Sequence, residues 1–333
     1  MNLLVFEMDI EQIRQLISNE NFELLETHIS WVLVGNEYVY KIKKPVKFSF
    51  LDFSTLEKRK YLCEEEIRLN RRLVPDMYIR VVGIANENGK LVLERDGDVI
   101  EYAIKMKLLP QERRMDLLMK ANKVEKEEIQ KIAEMVAGFH EKIETISDQK
   151  YSSAEVVKKQ IDDLANFREV IENACGLGET VEHVLSKCER FIGKNKTLFE
   201  KRQKDGKIKD CHGDLHSANI FILENKRTVI FDCIEFSKDF RYIDVASEIA
   251  FMAMDLDAFG REDFAKLFVE RYVELGSDHE VGKLLNLYKC YRANVRAKIA
   301  AIDYSQHPDE DAKKRIEKYM HLAERYATLL TTS

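Results

Sequence analysis

The first residues lack what an export signal requires. Met1–Asp9 has no basic segment ahead of its apolar run, and that run breaks at Glu7, so a signal peptide is not expected. No apolar stretch approaches the roughly 20 residues needed to cross a bilayer. Six cysteines (Cys63, Cys175, Cys188, Cys211, Cys233 and Cys290) stand without a Cys-x-x-Cys pair. Reduced thiols are therefore expected rather than a disulfide framework. Only four prolines and 13 glycines occur in 333 residues, and no repeat, low-complexity stretch or Pro/Gly linker is found. Acids and bases are interspersed around a net charge of −6, which argues against a general nucleic-acid binder. These absences leave a cytoplasmic, enzyme-like chain with no membrane or nucleic-acid partner, long enough for two domains or one bilobal unit.

What is present concentrates at residues 212–232. His212-Gly213-Asp214-Leu215-His216-Ser217-Ala218-Asn219 is followed by Ile220–Leu223, a polar turn, and Thr228-Val229-Ile230-Phe231-Asp232. A His two residues before an Asp, an Asn five after it and a hairpin ending in a second Asp have the spacing of a kinase catalytic loop and metal-binding strand. Phosphoryl transfer requires one carboxylate to orient the attacking hydroxyl and accept its proton. Separate oxygen ligands must hold Mg²⁺. Asp214 is thus the candidate base, and Asn219 and Asp232 are the candidate metal ligands.

His-Gly-Asp-x-His-x-x-Asn with an Ile-Phe-Asp strand resembles the aminoglycoside phosphotransferase and choline kinase superfamily. Protein kinases have Arg where Gly213 stands and Phe-Gly where Cys233-Ile234 stands, so the resemblance is to the small-molecule branch. It implies an α+β, bilobal, protein-kinase-like fold: a small antiparallel-sheet N-lobe over 1–107 and a larger helical C-lobe over 108–333. It further implies ATP or GTP as donor, Mg²⁺, and a hydroxyl of a small molecule as acceptor. A protein kinase, or a nucleotide-binding pseudokinase with a regulatory role, is the alternative. His212 would brace the loop, and His216 occupies the family's second His position. Asp244 would support the loop by hydrogen bonding its backbone, with a helix cap as the competing role. The segments Ile42–Val46, Phe231–Phe236 and Tyr291–Lys298 most resemble a bacterial aminoglycoside-phosphotransferase-like subgroup. Some of its members are fused to a P-loop kinase domain, and this sequence carries none.

The first part of the chain is rich in strand signals. Phe22–Thr27 is a strand candidate, and Trp31–Val34 with Tyr38–Lys43 forms a hairpin around a Gly-containing turn. Ser54-Thr55-Leu56-Glu57 has the capping-box pattern for a helix running to about Leu73. Strands over Tyr78–Ile84, Leu91–Glu94 and Val99–Met106 follow, and Leu108-Leu109-Pro110 would be the hinge. Side-chain alternation puts Val39, Lys41 and Lys43 on one face. Lys41 matches the phosphate-binding lysine, with Lys43 as the alternative, and Val39 could pack on an adenine. Glu66 lies within the helix's apolar arc, where a carboxylate calls for a partner, and Lys41 is the expected one. No Gly-x-Gly-x-x-Gly is found, so the phosphate-covering turn would be Thr27–Ser30, with Ser30 among its hydroxyls. Met106, on the strand entering the hinge, completes the expected nucleotide contacts.

After Pro110 the periodicity is helical: Glu125–Ile143, Ala154–Ala174, Glu179–Lys204, Asp244–Met254, Glu262–Leu275, Gly282–Ile302 and Asp309–Leu330. The region 151–205 reads as a helical insertion, with Gly206 as a C′ glycine. Two patches compete for the acceptor. One is acidic (Asp255, Asp257, Glu262, Asp263) and suits a cation; the other is basic (Lys289, Arg292, Arg296) and suits an anion, unless the two simply pair.

Overall fold

The computed structural model describes residues 8–330, except Asn21, Ser49, Asp96, Ser152 and Ser277. The N-terminal run Met1–Glu7 lies outside them. The chain divides into two compact units, one of residues 1–113 with 229–238 and one of residues 114–228 with 239–333.

In the first unit, α1 (Ile10–Glu20) precedes β1 (Glu23–Glu26), β2 (Ser30–Val34), β3 (Tyr38–Lys43), the short β4 (Lys47–Phe48) and β5 (Leu51–Asp52). Then come α2 (Leu56–Asn70), β6 (Tyr78–Glu87), β7 (Lys90–Leu93) and β8 (Val99–Lys107). Six strands form an antiparallel sheet in the order β1-β2-β3-β8-β6-β7. Alternation along β3 decides what faces where. Tyr40 and Ile42 join Ile13, Leu16, Trp31, Leu33, Val82 and Ile84 in an apolar core. Val39, Lys41 and Lys43 occupy the opposite face. Helix α2 packs on β8 and β6 and buries Arg59, Cys63, Glu66, Ile67, Leu69 and Asn70.

The α2 cap differs from the sequence expectation. Thr55, not Ser54, caps the helix, its hydroxyl accepting the Lys58 N–H at 3.3 Å. Ser54 is drawn away by Asp52, to which its hydroxyl donates at 2.5 Å. The helix also ends at Asn70 rather than Leu73, because Arg72 and Leu73 bond back to Leu69 and Asn70 in a tighter turn.

The second unit contains α3 (Met115–Lys120), α4 (Lys126–Lys142), α5 (Ala154–Asp162), α6 (Arg168–Cys175), α7 (Gly178–Lys194) and α8 (Lys196–Lys204). There follow β9 (Ile208–Asp210), β10 (Ile220–Ile222), β11 (Thr228–Ile230, straddling the unit boundary), α9 (Lys238–Arg241), β12 (Tyr242–Asp244), α10 (Val245–Ala258), α11 (Glu262–Gly276), α12 (Val281–Gln306) and α13 (Glu310–Thr328). Two segments expected as single helices are broken. Ala154–Ala174 is interrupted by a 3-10 turn over Asp163–Phe167, where the Asn166 amide donates to Asp163 at 2.9 Å. Glu179–Lys204 breaks at Asn195, whose side chain bonds the Phe191 carbonyl at 2.8 Å. Short polar side chains competing for local partners account for both breaks. Gly206, at φ +69, is left-handed just past α8, as expected of a C′ glycine. No described helix is long and apolar enough to cross a membrane.

Candidate functional site

On the first unit, the α2-facing side of β3 carries a buried charge network. Lys41 Nζ lies 2.9 Å from Glu66 Oε1 and 2.7 Å from Asp232 Oδ1. Lys43 Nζ lies 2.7 Å from Glu66 Oε2 and also pairs with Glu235. Of the three neighbouring glutamates only Glu66 is buried; Glu64 is exposed, and Glu65 pairs with Arg68 at 2.8 Å. Burial would push the Glu66 carboxyl up, but Lys41 and Lys43 outweigh it and bring it down to about 2. Burial likewise opposes charge on Lys41, and Asp232 and Glu66 overcome it, holding the ammonium well above the ordinary lysine value.

The two lysines are not equivalent. Lys43 is 1% exposed and closed in by its two glutamates, whereas the Lys41 side chain is 16% exposed and touches an Asp232 carboxylate that is itself 38% exposed. Lys41 is therefore the lysine a ligand can reach. Asp232 adopts φ +68, a left-handed conformation unusual for a non-glycine residue. The amide of Cys233, next in sequence, donates to Asn70 Oδ1 at 2.9 Å. The other expected nucleotide residues lie on the same sheet. Val39 stands opposite Met106 across β3 and β8, and Ser30 opens β2. The Ser30 hydroxyl is buried and has no partner among the described residues, so it is not on an exposed phosphate turn. The turn is instead closed by Thr27, whose hydroxyl accepts the Ser30 N–H at 2.9 Å.

On the second unit, β9 pairs antiparallel with β12, and β12 runs directly into α10. The segment 211–219 leaves β9 beside that helix. Two carboxylates on one face of α10 hold its backbone. Glu248 accepts the His212 N–H at 3.0 Å and the Gly213 N–H at 2.7 Å. Asp255 accepts the Ser217 N–H at 2.8 Å. His140 on α4 secures Glu248 from behind, with Nε2 at 3.0 Å from the carboxylate and Nδ1 at 2.8 Å from the Tyr272 hydroxyl. Burial raises the Glu248 carboxyl, but His140, His212 and the Gly213 amide bring it down to about 2. Arg292 braces the loop from α12, donating to the Gly213 carbonyl at 3.1 Å and the Ser247 carbonyl at 3.3 Å.

Within this frame the Asn219 amide donates to both the Asp214 carbonyl and Asp214 Oδ2, each at 3.0 Å. His216 Nε2 lies 3.3 Å from the same carboxylate oxygen, and His212 Nδ1 accepts the Asp214 N–H at 3.2 Å. The Asp214 side chain remains 38% exposed. Burial would raise its pKa, but His216, Arg296 and His212 outweigh it and keep the carboxyl well below the usual carboxylate range.

Three sequence expectations are corrected here. Asp244 does not hold the loop backbone; it caps α10 through the Ala246 N–H at 2.8 Å and takes both ends of the buried Arg202 guanidinium at 2.5 and 2.7 Å. Glu248, one helical turn on, has the loop instead. It is the only charged residue in the run Val245–Met254, and a lone carboxylate in an apolar helix demands buried partners. Asp255 accepts from the Ser217 amide and Arg292 donates to backbone carbonyls, and both side chains are buried, so they support the loop rather than line an open patch. The rest of the acidic patch is also paired: Asp257 with Lys289 and Tyr326, Glu262 with Arg325, and Asp263 with Arg261. Among the described residues the one cluster with the chemistry to hold a metal ion is His140, Cys211 and Glu248, in which both His140 nitrogens are hydrogen-bonded.

The fold is that of the aminoglycoside phosphotransferases, as the loop motif led us to expect. The gentamicin complex of the phosphotransferase APH(2'')-IIa superposes with a TM-score of 0.50 at 17% identity, covering 96% of this chain and 99% of that one. A thermostable mutant of APH(4)-Ia, in ternary complex with AMP-PNP and hygromycin B, gives 0.50 at 13% identity over 94% and 99%. In sequence, an uncharacterised protein of Mycobacterium tuberculosis and another of Mycobacterium bovis are each 29% identical over 299 residues. That is 89% of this chain and 58% of theirs, so the chain spans little more than half the length of the curated relatives it matches. No protein-family model matches the sequence.

Proposed function

We propose that the protein transfers the γ-phosphoryl group of ATP or GTP to a hydroxyl of a small molecule. The observation that carries this reading is Lys41, joined at once to a buried glutamate and to Asp232. A phosphate-binding cation, its anchor and a candidate metal carboxylate thus adjoin. The donor set suits Mg²⁺, a hard cation that takes oxygen ligands. Among the described residues, Asp232 Oδ2 and Asn219 Oδ1 have no hydrogen-bond partner, whereas the opposite atom of each side chain is fixed. Mg²⁺ with Asp232 as ligand would neutralise charge on the β- and γ-phosphates, and Asn219 is the candidate ligand on the other unit.

Lys41, held by Glu66 and partly exposed, would bind the nucleotide phosphates, and Asp232 beside it would be a ligand for Mg²⁺. Val39 and Met106 would flank the base. Asp214, held ionised and fixed by Asn219 and His216, would orient the acceptor hydroxyl and take its proton as the bond to phosphorus forms. Its low basicity is adequate for a loose transition state, in which the hydroxyl needs the proton acceptor late. Thermal unfolding tests the reading. Mg·ATP should stabilise the protein, ATP with EDTA should do so much less, and Asp232→Asn should abolish the difference. Equal Mg·ATP stabilisation of Asp232→Asn and the unaltered protein would overturn the metal assignment.

A further inference from the structure

Lys43 is closed to ligands, because it and its partner Glu235 are both buried. Its ammonium lies 2.7 Å from Glu66 Oε2, pairs with Glu235 and sits 4.9 Å from the centre of the buried Phe53 ring. Glu66 therefore serves two lysines, Lys41 through Oε1 and Lys43 through Oε2. Glu235 follows Asp232 by three residues, at the far end of the short segment that carries the proposed metal ligand. Lys43 and Glu235 cancel in charge, so what they add to the network is position.

That segment is fastened along its length to the rest of the first unit. The Asp232 carboxylate meets Lys41 at 2.7 Å, and the Cys233 amide donates to Asn70 Oδ1 at 2.9 Å. Glu235 is held by Lys43, and the Phe236 ring packs 6.1 Å from that of Phe50. Two of these ties lead to a single turn of α2, where the Asn70 amide also donates to the Glu66 carbonyl at 2.8 Å. Asp232 needs them. Its φ of +68 is disfavoured for a residue with a side chain and persists only where the surroundings fix it. Lys41 holds the carboxylate alone. The backbone that aims it is held by Asn70 and, through Lys43 and Glu235, by Glu66.

We infer that Lys43 and Glu235 are positioning residues: they tie the segment 232–236 to Glu66 and so fix how the Asp232 carboxylate is presented to a divalent cation. The inference rests on the metal assignment in the phosphotransfer reading and adds two residues too buried to touch a ligand themselves. Partners that orient a metal ligand in this way raise its affinity for the ion, because a carboxylate already in place need not be ordered on binding. The sign of the effect separates position from charge. Removing a nearby cation should, by Coulomb's law alone, tighten the hold on Mg²⁺. Removing a tie should loosen it.

The test is thermal unfolding of the full chain titrated with Mg·ATP and, separately, with ATP in EDTA, joined to deuterium uptake of the peptide 229–238 without ligand. The ratio of the two affinities isolates the metal's contribution. In Lys43→Met that ratio should fall by roughly 10- to 100-fold, the usual cost of losing a residue that orients a metal ligand. The 229–238 peptide should also exchange faster, while peptides from β6 and β8 keep their rates. Lys43→Met leaves Glu235 buried and unpaired, so the double variant Lys43→Met/Glu235→Met is measured beside it. Exchanging a buried ion pair for apolar side chains of similar volume is commonly neutral for folding, and this variant leaves the net charge as it was. It should show the same fall and the same faster exchange. The inference is overturned if the ratio rises in Lys43→Met, charge then governing. It is equally overturned if the double variant melts lower with its ratio unchanged, the pair then being structural only, or if the 229–238 peptide exchanges no faster. Absence of Mg·ATP stabilisation in the unaltered protein counts against the phosphotransfer reading itself, while the exchange of that peptide still decides whether Lys43 and Glu235 hold the segment.

Discussion

At the scale of residues, Asp214 and Asp232 are both carboxylates with 38% side-chain exposure, yet their partners differ in kind. Asp232 faces an ammonium, whereas Asp214 is held by an amide and an imidazole. Substitution should therefore separate them. Asp214→Asn retains shape but cannot accept a proton, so kcat should fall by roughly 10²-fold or more while Mg·ATP affinity survives. Near-full turnover in that variant, measured by nucleotide consumption once an acceptor is in hand, would remove the base assignment. The residue scale is also where the sequence was most legible. Lys41, Glu66 and Asp232 come together on one unit, and Asp214 and Asn219 on the other, because catalytic spacing and helical phase are local properties. Arg292 and Asp255 were misread for the opposite reason. Whether a charge faces solvent or a neighbouring carbonyl depends on packing between distant segments, which spacing along one helix does not encode.

At the scale of elements, strands with alternation and helices with strong apolar periodicity were recovered, and the errors fell where short polar side chains choose among local partners. The α2 cap illustrates this. Ser54 and Thr55 can each cap a helix by composition, and Asp52 settles the choice by engaging Ser54. Thr55→Ala should cost about 1 kcal/mol of stability, the usual value for a lost N-cap, and Ser54→Ala distinctly less. Urea denaturation of the two variants would reveal the ranking, and its reversal would return the cap to Ser54. The breaks at Asp163–Phe167 and Asn195 have the same origin, and no hydrophobic pattern marks them.

At the scale of the whole molecule, buried carboxylates set the response to acid. Glu66 and Glu248 are each brought from 4.5 down to about 2. A depressed carboxyl pKa favours folding above the unfolded value, and that stability disappears as pH falls through the folded one. These two groups should leave stability level from pH 8 to about 5 and lower it progressively between about 4.5 and 2. Denaturant midpoints measured across that range would check the sign, and a rise in stability below pH 4 would contradict it.

The attachment of the 212–217 segment to α10 has a consequence for the timescale on which that segment opens. Surface loops ordinarily surrender their amide protons to solvent quickly, because nothing cooperative must break. Here the amides of His212, Gly213 and Ser217 are bound to Glu248 and Asp255, so freeing them requires disturbing a buried helix. Their deuterium uptake should follow the slow kinetics of α10 rather than the fast kinetics of a turn such as Glu224–Arg227. Exchange measured by mass spectrometry would show this as a loop peptide that labels late, in step with the helix beneath it.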